Sequence, residues 1–279
     1  MVRPTWMTMQ YPGLPAMEPH HTASIRNLVA EFEMDRSVLA LILGGSLAHG
    51  FAKPDSDIDV AIVVEPAEFR QRQQGGKLHY NNRTLCTYEK GYIDGKYMDV
   101  EFLRLVAARG SDPARYAFKD SRILFSRIIG LEQMLAEIVR FPMEQKKERI
   151  ERFVAQLLAW RWYYSEAVRQ ESPYLICLAL QKITLFSSRI VLAENEMLFP
   201  YHKWMLRVVE SAPRRPAGFP DTVKALLAQH SWARIDEHCR AMLAFAGVDF
   251  AGADAIWPTR FMKDTELKWI AEEPAIDDL

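Results

Sequence analysis

Two hydrophobic rhythms divide this chain near residue 141. Before it, short apolar blocks alternate with segments of helical spacing; after it, apolar positions recur almost everywhere at three and four residues. In the first stretch Ile25, Leu28, Val29 and Phe32 predict a helix over 18–34. The run VLALIL at 38–43 is wholly apolar, the pattern of a strand buried on both faces. In DIDVAIVV at 57–64, Ile58, Val60, Ile62 and Val64 face one way and Asp57, Asp59, Ala61 and Val63 the other, which predicts a second strand. Segments 83–92 and 96–105 flank Asp94-Gly95, a dipeptide suited to a tight hairpin turn, and so predict two antiparallel strands. A strand at 122–125 and a helix at 131–139 complete this half.

After Phe141-Pro142 the spacing predicts helices over 144–170, 173–195, 202–210, 221–230 and 235–246, with Pro173, Pro200, Pro213 and Pro216 in the breaks. The expected fold is α+β. A small mixed-sheet domain occupies 1–141, an all-helical bundle 142–270, and an acidic tail without periodicity 271–279. Trp160, Tyr163, Tyr164 and Ala167 fall on one helical stripe and read as core.

Composition narrows the classes. The 279 residues are 49% hydrophobic and 25% charged, the balance of a globular protein with room for one or two domains. Lys and Arg number 35 against 36 Asp and Glu, so the net charge of −1 gives no reason to expect long nucleic acid as a partner. Cys86, Cys177 and Cys239 are scattered without metal or disulfide spacing, which fits buried thiols in a reducing compartment; His230, His238 and Cys239 do not form a zinc pattern. No apolar stretch approaches the roughly 18 residues of a membrane span, and the first residues lack a signal-peptide pattern, so a cytoplasmic protein with no membrane partner is expected. The sequence leaves the oligomeric state open.

The chemistry concentrates in LGGSLAHGFAKPDSDIDV at 43–60. Residues two apart on a strand lie about 6.5 Å apart on one side. Two unit charges at that distance repel by about 2.5 kcal/mol at an effective dielectric near 20. Asp57 and Asp59 therefore suit a hard divalent cation, and Mg²⁺ commonly binds one or two carboxylates together with substrate phosphates. The Gly44-Gly45-Ser46 turn lets the backbone approach a phosphate, and Ser46 can cap the following helix, whose free N–H groups favour an anion. His49 and Lys53 lie between the two parts; Ser56 reads as the turn residue feeding the strand and Asp55 as solvated.

Gly45-Ser46, ten intervening residues and Asp57-Ile-Asp-Val60 resemble the signature of the polymerase-β-type nucleotidyltransferase superfamily. The branch is that of aminoglycoside and lincosamide nucleotidyltransferases and of minimal nucleotidyltransferases with helical partners; Ser56-Asp57-Ile58-Asp59 and Gly50 match it. The resemblance implies that Ser46 contacts a triphosphate, that Asp57 and Asp59 hold two Mg²⁺ ions, and that a third acid on a neighbouring strand completes the site. With Met98, Val100 and Phe102 on one strand face, Asp99 and Glu101 share the other. Asp99 is the expected third ligand, with Glu101 as its substitute or as a base on the acceptor, while Asp94 is assigned to the turn. Lys203, before Trp204, resembles a lysine near the nucleotide in some attached helical domains.

The same resemblance implies transfer of a nucleoside monophosphate, AMP from ATP or the equivalent from another NTP. The acceptor expected is a hydroxylated small molecule such as an antibiotic, with pyrophosphate released. Two alternatives stand beside it: modification of a protein hydroxyl, and a nucleotide-binding interaction module of antitoxin type.

Overall fold

Pro19 opens the first helix, α1 (Pro19–Glu33), where its fixed φ suits a first turn and its missing N–H costs nothing. The computed structural model describes residues 17–267 and residue 270. After α1 come β1 (Val38–Leu43), the one-turn helix α2 (Gly45–Ala48), β2 (Ile58–Val64), α3 (Pro66–Gln74), β3 (His79–Asn82) and β4 (Ile93–Met98). These are followed by α4 (Val100–Arg109), α5 (Asp112–Tyr116), β5 (Arg122–Ser126) and α6 (Leu131–Ile138).

The five strands form one mixed sheet in the order β3-β4-β2-β1-β5. β2 runs parallel to β4 and antiparallel to β1; β3 and β5 pair antiparallel with β4 and β1. Alternation along the strands then builds two cores. On one face Leu41, Leu43, Ile58, Val60, Ile62, Val64, Ile93 and Tyr97 pack with Ile25, Leu28, Val29 and Phe32 of α1. On the other, Ala40, Ile42, Val63 and Met98 pack with Leu103 and Val106 of α4 and with Leu131, Leu135 and Ile138 of α6. Burying each Leu or Ile side chain contributes roughly 1.5–3 kcal/mol, which is what holds helix, sheet and helix in three layers.

Segments 83–105 depart from the sequence expectation. The strand predicted over 83–92 is a loop, because Asn82 ends β3: its Oδ1 accepts the backbone N–H groups of Thr84 at 2.8 Å and Leu85 at 3.1 Å, turning the chain away. Asp94-Gly95 is not a hairpin turn. Both residues lie inside β4, opposite Asp59 and Val60 of its parallel neighbour. Gly95 serves close packing here, since a Cβ on it would meet Ile62 Cδ1 at 2.9 Å and Tyr80 Cβ at 3.0 Å. The strand predicted over 96–105 stops at Met98, where Asp99 caps α4 by accepting the N–H of Phe102 at 2.8 Å.

The chain divides into two compact units. One runs up to Gly110 and takes in Ala114–Arg140; the other holds Ser111–Pro113 and the chain from Phe141 onward. The second unit is helical. It comprises α7 (Lys146–Arg169), α8 (Pro173–Glu194), α9 (Met205–Glu210), α10 (Phe219–Ala228), α11 (Trp232–Phe245) and α12 (Phe250–Phe261), with short 3₁₀ turns at Met143–Gln145 and His202–Trp204. α7 packs along α8 and α12. Tyr164 and Ala167 are buried as expected of core, whereas Trp160 and Tyr163 are half-buried and stack on one another with centroids 5.1 Å apart.

α8 corrects one sequence reading. It is long and apolar enough to cross a membrane by length and composition, and 67% of its apolar window is buried inside the structure. Interspersed Gln181, Lys182 and Arg189 hid that length from a search for an unbroken apolar run. Arg189 is buried between the rings of Phe153 and Phe199, at 4.6 and 4.4 Å from their centroids. Asp112 accepts from Arg149 at 2.6 Å, from Arg189 at 3.1 Å and from the N–H of Phe199 at 3.3 Å. The acidic tail expected over 271–279 lies outside the described residues.

Candidate active site

β1 ends where Gly44 donates its N–H to Asp59 O at 2.9 Å, so the antiparallel pairing fixes the glycine turn against the start of β2. Gly45 then takes φ +60°, and a Cβ there would fall 1.7 Å from Asp59 Oδ2. Only glycine gives both the left-handed turn and room for that carboxylate. Ser46 follows inside α2, whose N-cap is Gly44, so it does not cap the helix as the sequence suggested. Its side chain is buried, and its Oγ has no hydrogen-bond partner among the described residues. Phe51 N–H donates to Ser46 O at 2.9 Å and closes the loop after α2.

The loop that leads to the acidic pair is held from three sides. His20 Nε2 lies 2.8 Å from Pro54 O, His21 Nε2 3.1 Å from Ser56 O, and the Tyr88 hydroxyl donates to Ser56 O at 2.6 Å. Ser56 is the turn residue expected, its Oγ accepting from Lys53 N–H at 2.8 Å. His49 is buried beside Tyr116 and Phe51, with Nδ1 3.8 Å from Asp120 Oδ2, so it anchors the loop locally. That contact is the first of the causes lowering the Asp120 pKa.

Asp57, Asp59 and Asp94 converge. One carboxylate oxygen from each can be chosen so that all three lie within 4.8 Å of one another, and all three residues are partly exposed. Parallel pairing brings this about, because residues opposite one another in neighbouring strands project to the same face and Asp59 stands opposite Asp94. Tyr92 stands beside Asp57, and the carboxylate raises the phenol's pKa above its ordinary value. His79 Nε2 lies 2.7 Å from Asp94 Oδ1.

The expected third carboxylate, Asp99, is not in this group, and neither is Glu101. Met98 stands opposite Val63, on the face of Asp59, so the next residue along β4 would point to the other face even if the strand continued. Asp99 instead caps α4, and Glu101 lies exposed in the first turn of α4, 3.5 Å from Arg104. Lys203 belongs to the second unit, where its Nζ sits 5.0 Å from the Trp204 ring centroid. Asp94, Tyr92 and His79 escaped the sequence reading. Gly95 was the available signal, since a glycine between alternating residues marks a strand approached closely on one face as readily as it marks a turn.

A glycine-serine turn joined to an acid-x-acid strand, with a third acid from the parallel neighbour, on a mixed sheet layered with helices, defines the class of nucleotidyl-transferring enzymes. The family model described as a nucleotidyltransferase domain matches residues 25–191, more than half of the chain, and the chain belongs to that family. Among solved structures it is similar to a nucleotidyltransferase-like protein from Exiguobacterium sibiricum 255-15, at 11% identity and a TM-score of 0.43 over 87% of this chain and 80% of that one. No curated protein sequence matches the chain.

Proposed function

We propose that the protein moves a nucleoside monophosphate, AMP from ATP, to a hydroxyl of a small-molecule acceptor, an antibiotic being the leading class. Family membership supports nucleotidyl transfer as such. The observation that supports metal-dependent transfer is the meeting of three carboxylates beside the Gly45-Ser46 turn, while ATP and the antibiotic acceptor rest on the family resemblance.

The residues fit divalent cations. An all-oxygen donor set of three carboxylates within 4.8 Å suits Mg²⁺, and the like charges otherwise repel. Asp57, Asp59 and Asp94 would hold two such ions; bound there, they neutralise phosphate charge and acidify the acceptor hydroxyl. The remaining chemistry belongs to the chain. Ser46 Oγ, buried and unpartnered among the described residues, is a hydrogen-bond donor for a phosphate oxygen. Gly45 keeps the backbone bare where the triphosphate and Asp59 must both fit. In the reaction the acceptor hydroxyl gives up its proton to solvent and its oxygen bonds to the α-phosphorus while the bond to the bridging oxygen breaks, and pyrophosphate leaves with that electron pair. Lys203 enters this proposal by resemblance alone, as a cation for the triphosphate; Lys203→Ala should then raise the KM for nucleotide.

The experiment is incubation of the purified chain with Mg²⁺, each of the four nucleoside triphosphates and a panel of aminoglycosides and lincosamides, following pyrophosphate and acceptor mass. Pyrophosphate together with a gain of one nucleoside monophosphate, lost in Asp59→Asn, is expected. Transfer at the parental rate by Asp59→Asn would defeat the assignment of the carboxylates, and a nucleotidylated protein in place of a small molecule would move the acceptor to a protein hydroxyl.

A further inference from the structure

Two of the three converging carboxylates each have beside them a side chain that has no part in the proposed transfer. Ile93 pairs with Ile58, and Ile58 N–H donates to Tyr92 O at 3.0 Å, so residue 92 stands beside residue 57 just ahead of the two parallel strands. From there the Asp57 carboxylate acts on the Tyr92 phenol and raises its pKa. Arg83 covers the Tyr92 ring, its guanidinium carbon 5.4 Å from the centroid. On the far side of β4, His79 is opposite Lys96 and Asn81 is opposite Asp94. His79 therefore shares the face of Asp94 one diagonal step away, which gives the 2.7 Å contact from Nε2 to Oδ1.

These contacts add little to stability. The His79 side chain is 64% exposed and Tyr92 is half-buried, and hydrogen bonds to exposed charges are screened by water. Their effect is geometric. A carboxylate on a single-bonded stem rotates, and a donor fixed to one oxygen turns the other in a set direction. Carboxylates that bind metals are commonly held in this way, and loss of the outer partner typically weakens metal binding about 10–100-fold.

We propose that Tyr92 and His79 are positioning residues that set the orientation of Asp57 and Asp94 and thereby the affinity of the three-carboxylate cluster for a divalent cation. This rests on the reading that Asp57, Asp59 and Asp94 are the metal ligands. It makes the edge strand β3, which bears none of the three acids, part of the site.

The test is Mn²⁺ binding to the full-length chain without nucleotide, monitored by the paramagnetic resonance of free Mn²⁺, for the parent, Asp59→Asn, Tyr92→Phe, His79→Ala and His79→Gln. Tyr92→Phe and His79→Ala are each expected to weaken binding about 10–100-fold while the melting temperature moves by no more than about 2–4 °C, the shift that 1 kcal/mol produces in a domain of 150–250 residues. His79→Gln, whose amide can donate from near the Nε2 position, should recover most of the loss. In the transfer assay the same two weakened variants should need more Mn²⁺ for half-maximal rate yet approach the parental kcat at saturating metal. If the parent binds no more Mn²⁺ than Asp59→Asn, the carboxylate reading falls and the inference with it. If binding is lost in Asp59→Asn but Tyr92→Phe and His79→Ala bind as tightly as the parent, or more tightly, the inference alone is overturned.

Discussion

The absent Cβ of Gly45 and the carboxylate of Asp59 compete for one volume: a methyl there would stand 1.7 Å from Oδ2. The turn and the acidic pair are therefore a single device. Gly45→Ala should displace the Asp59 side chain and also strain a backbone at φ +60°, which costs an L-residue roughly 1–2 kcal/mol. The expected outcome is a folded protein by circular dichroism with transfer reduced about 100-fold or more, the loss that comes with misplacing a catalytic group by an ångström or so.

Asp94 and Asp99 separate cleanly. Asp94→Asn should lower transfer by more than the roughly 10–100-fold typical of an outer partner, with an almost unchanged melting temperature. Asp99→Ala removes the cap of α4 and should cost about 1 kcal/mol of stability while transfer stays within a few-fold of the parent. Paired unfolding and transfer assays on both variants check this; the reverse result would return the site to the end of β4.

A third prediction concerns the helical unit. Asp112 is buried between Arg149 and Arg189, so Asp112→Ala leaves two guanidinium groups without their shared carboxylate. Breaking such a buried pair from one side costs about 3–5 kcal/mol. Urea denaturation of Asp112→Ala should show that loss.

His238 makes stability depend on pH. Burial pushes its pKa down to about 4, and Nε2 sits 2.8 Å from Ser187 Oγ. The unfolded chain, with an ordinary pKa near 6.5, takes up the proton first as pH falls. The contribution is thus fully present above about pH 6.5 and is lost progressively toward pH 4; the loss amounts to about 2 kcal/mol by pH 5. His238→Gln should flatten the stability curve between pH 7 and 5 by that amount, measured by urea unfolding against the parent.

The sequence carried β1, β2 and the long helices because each is written in its own local pattern. VLALIL has no polar residue to expose, and Asp57 to Val64 opens in alternation, Asp-Ile-Asp-Val, before turning wholly apolar. The Gly45-Ser46 turn and the pair Asp57 and Asp59 were legible for the same reason, all lying within fifteen residues of chain. Asp94 was not, because its partner is 35 residues away and only the parallel register of β2 and β4 reveals that the two share a face. Asp99-Val-Glu-Phe also fits both an alternating strand and a capped helix start; the N–H of Phe102 decided for the helix.

The short strand β3 has a consequence for the behaviour of the protein in concentrated solution. It ends the sheet, and an end strand offers its backbone to any neighbouring chain as a template for aggregation. Here the template is four residues long, His-Tyr-Asn-Asn, and the Asn82 side chain bends the chain out of register straight afterwards. The strand that steadies Asp94 is thus also a poor seed for fibrils, and a variant that lengthened it with apolar residues should be watched for precipitation before it is assayed.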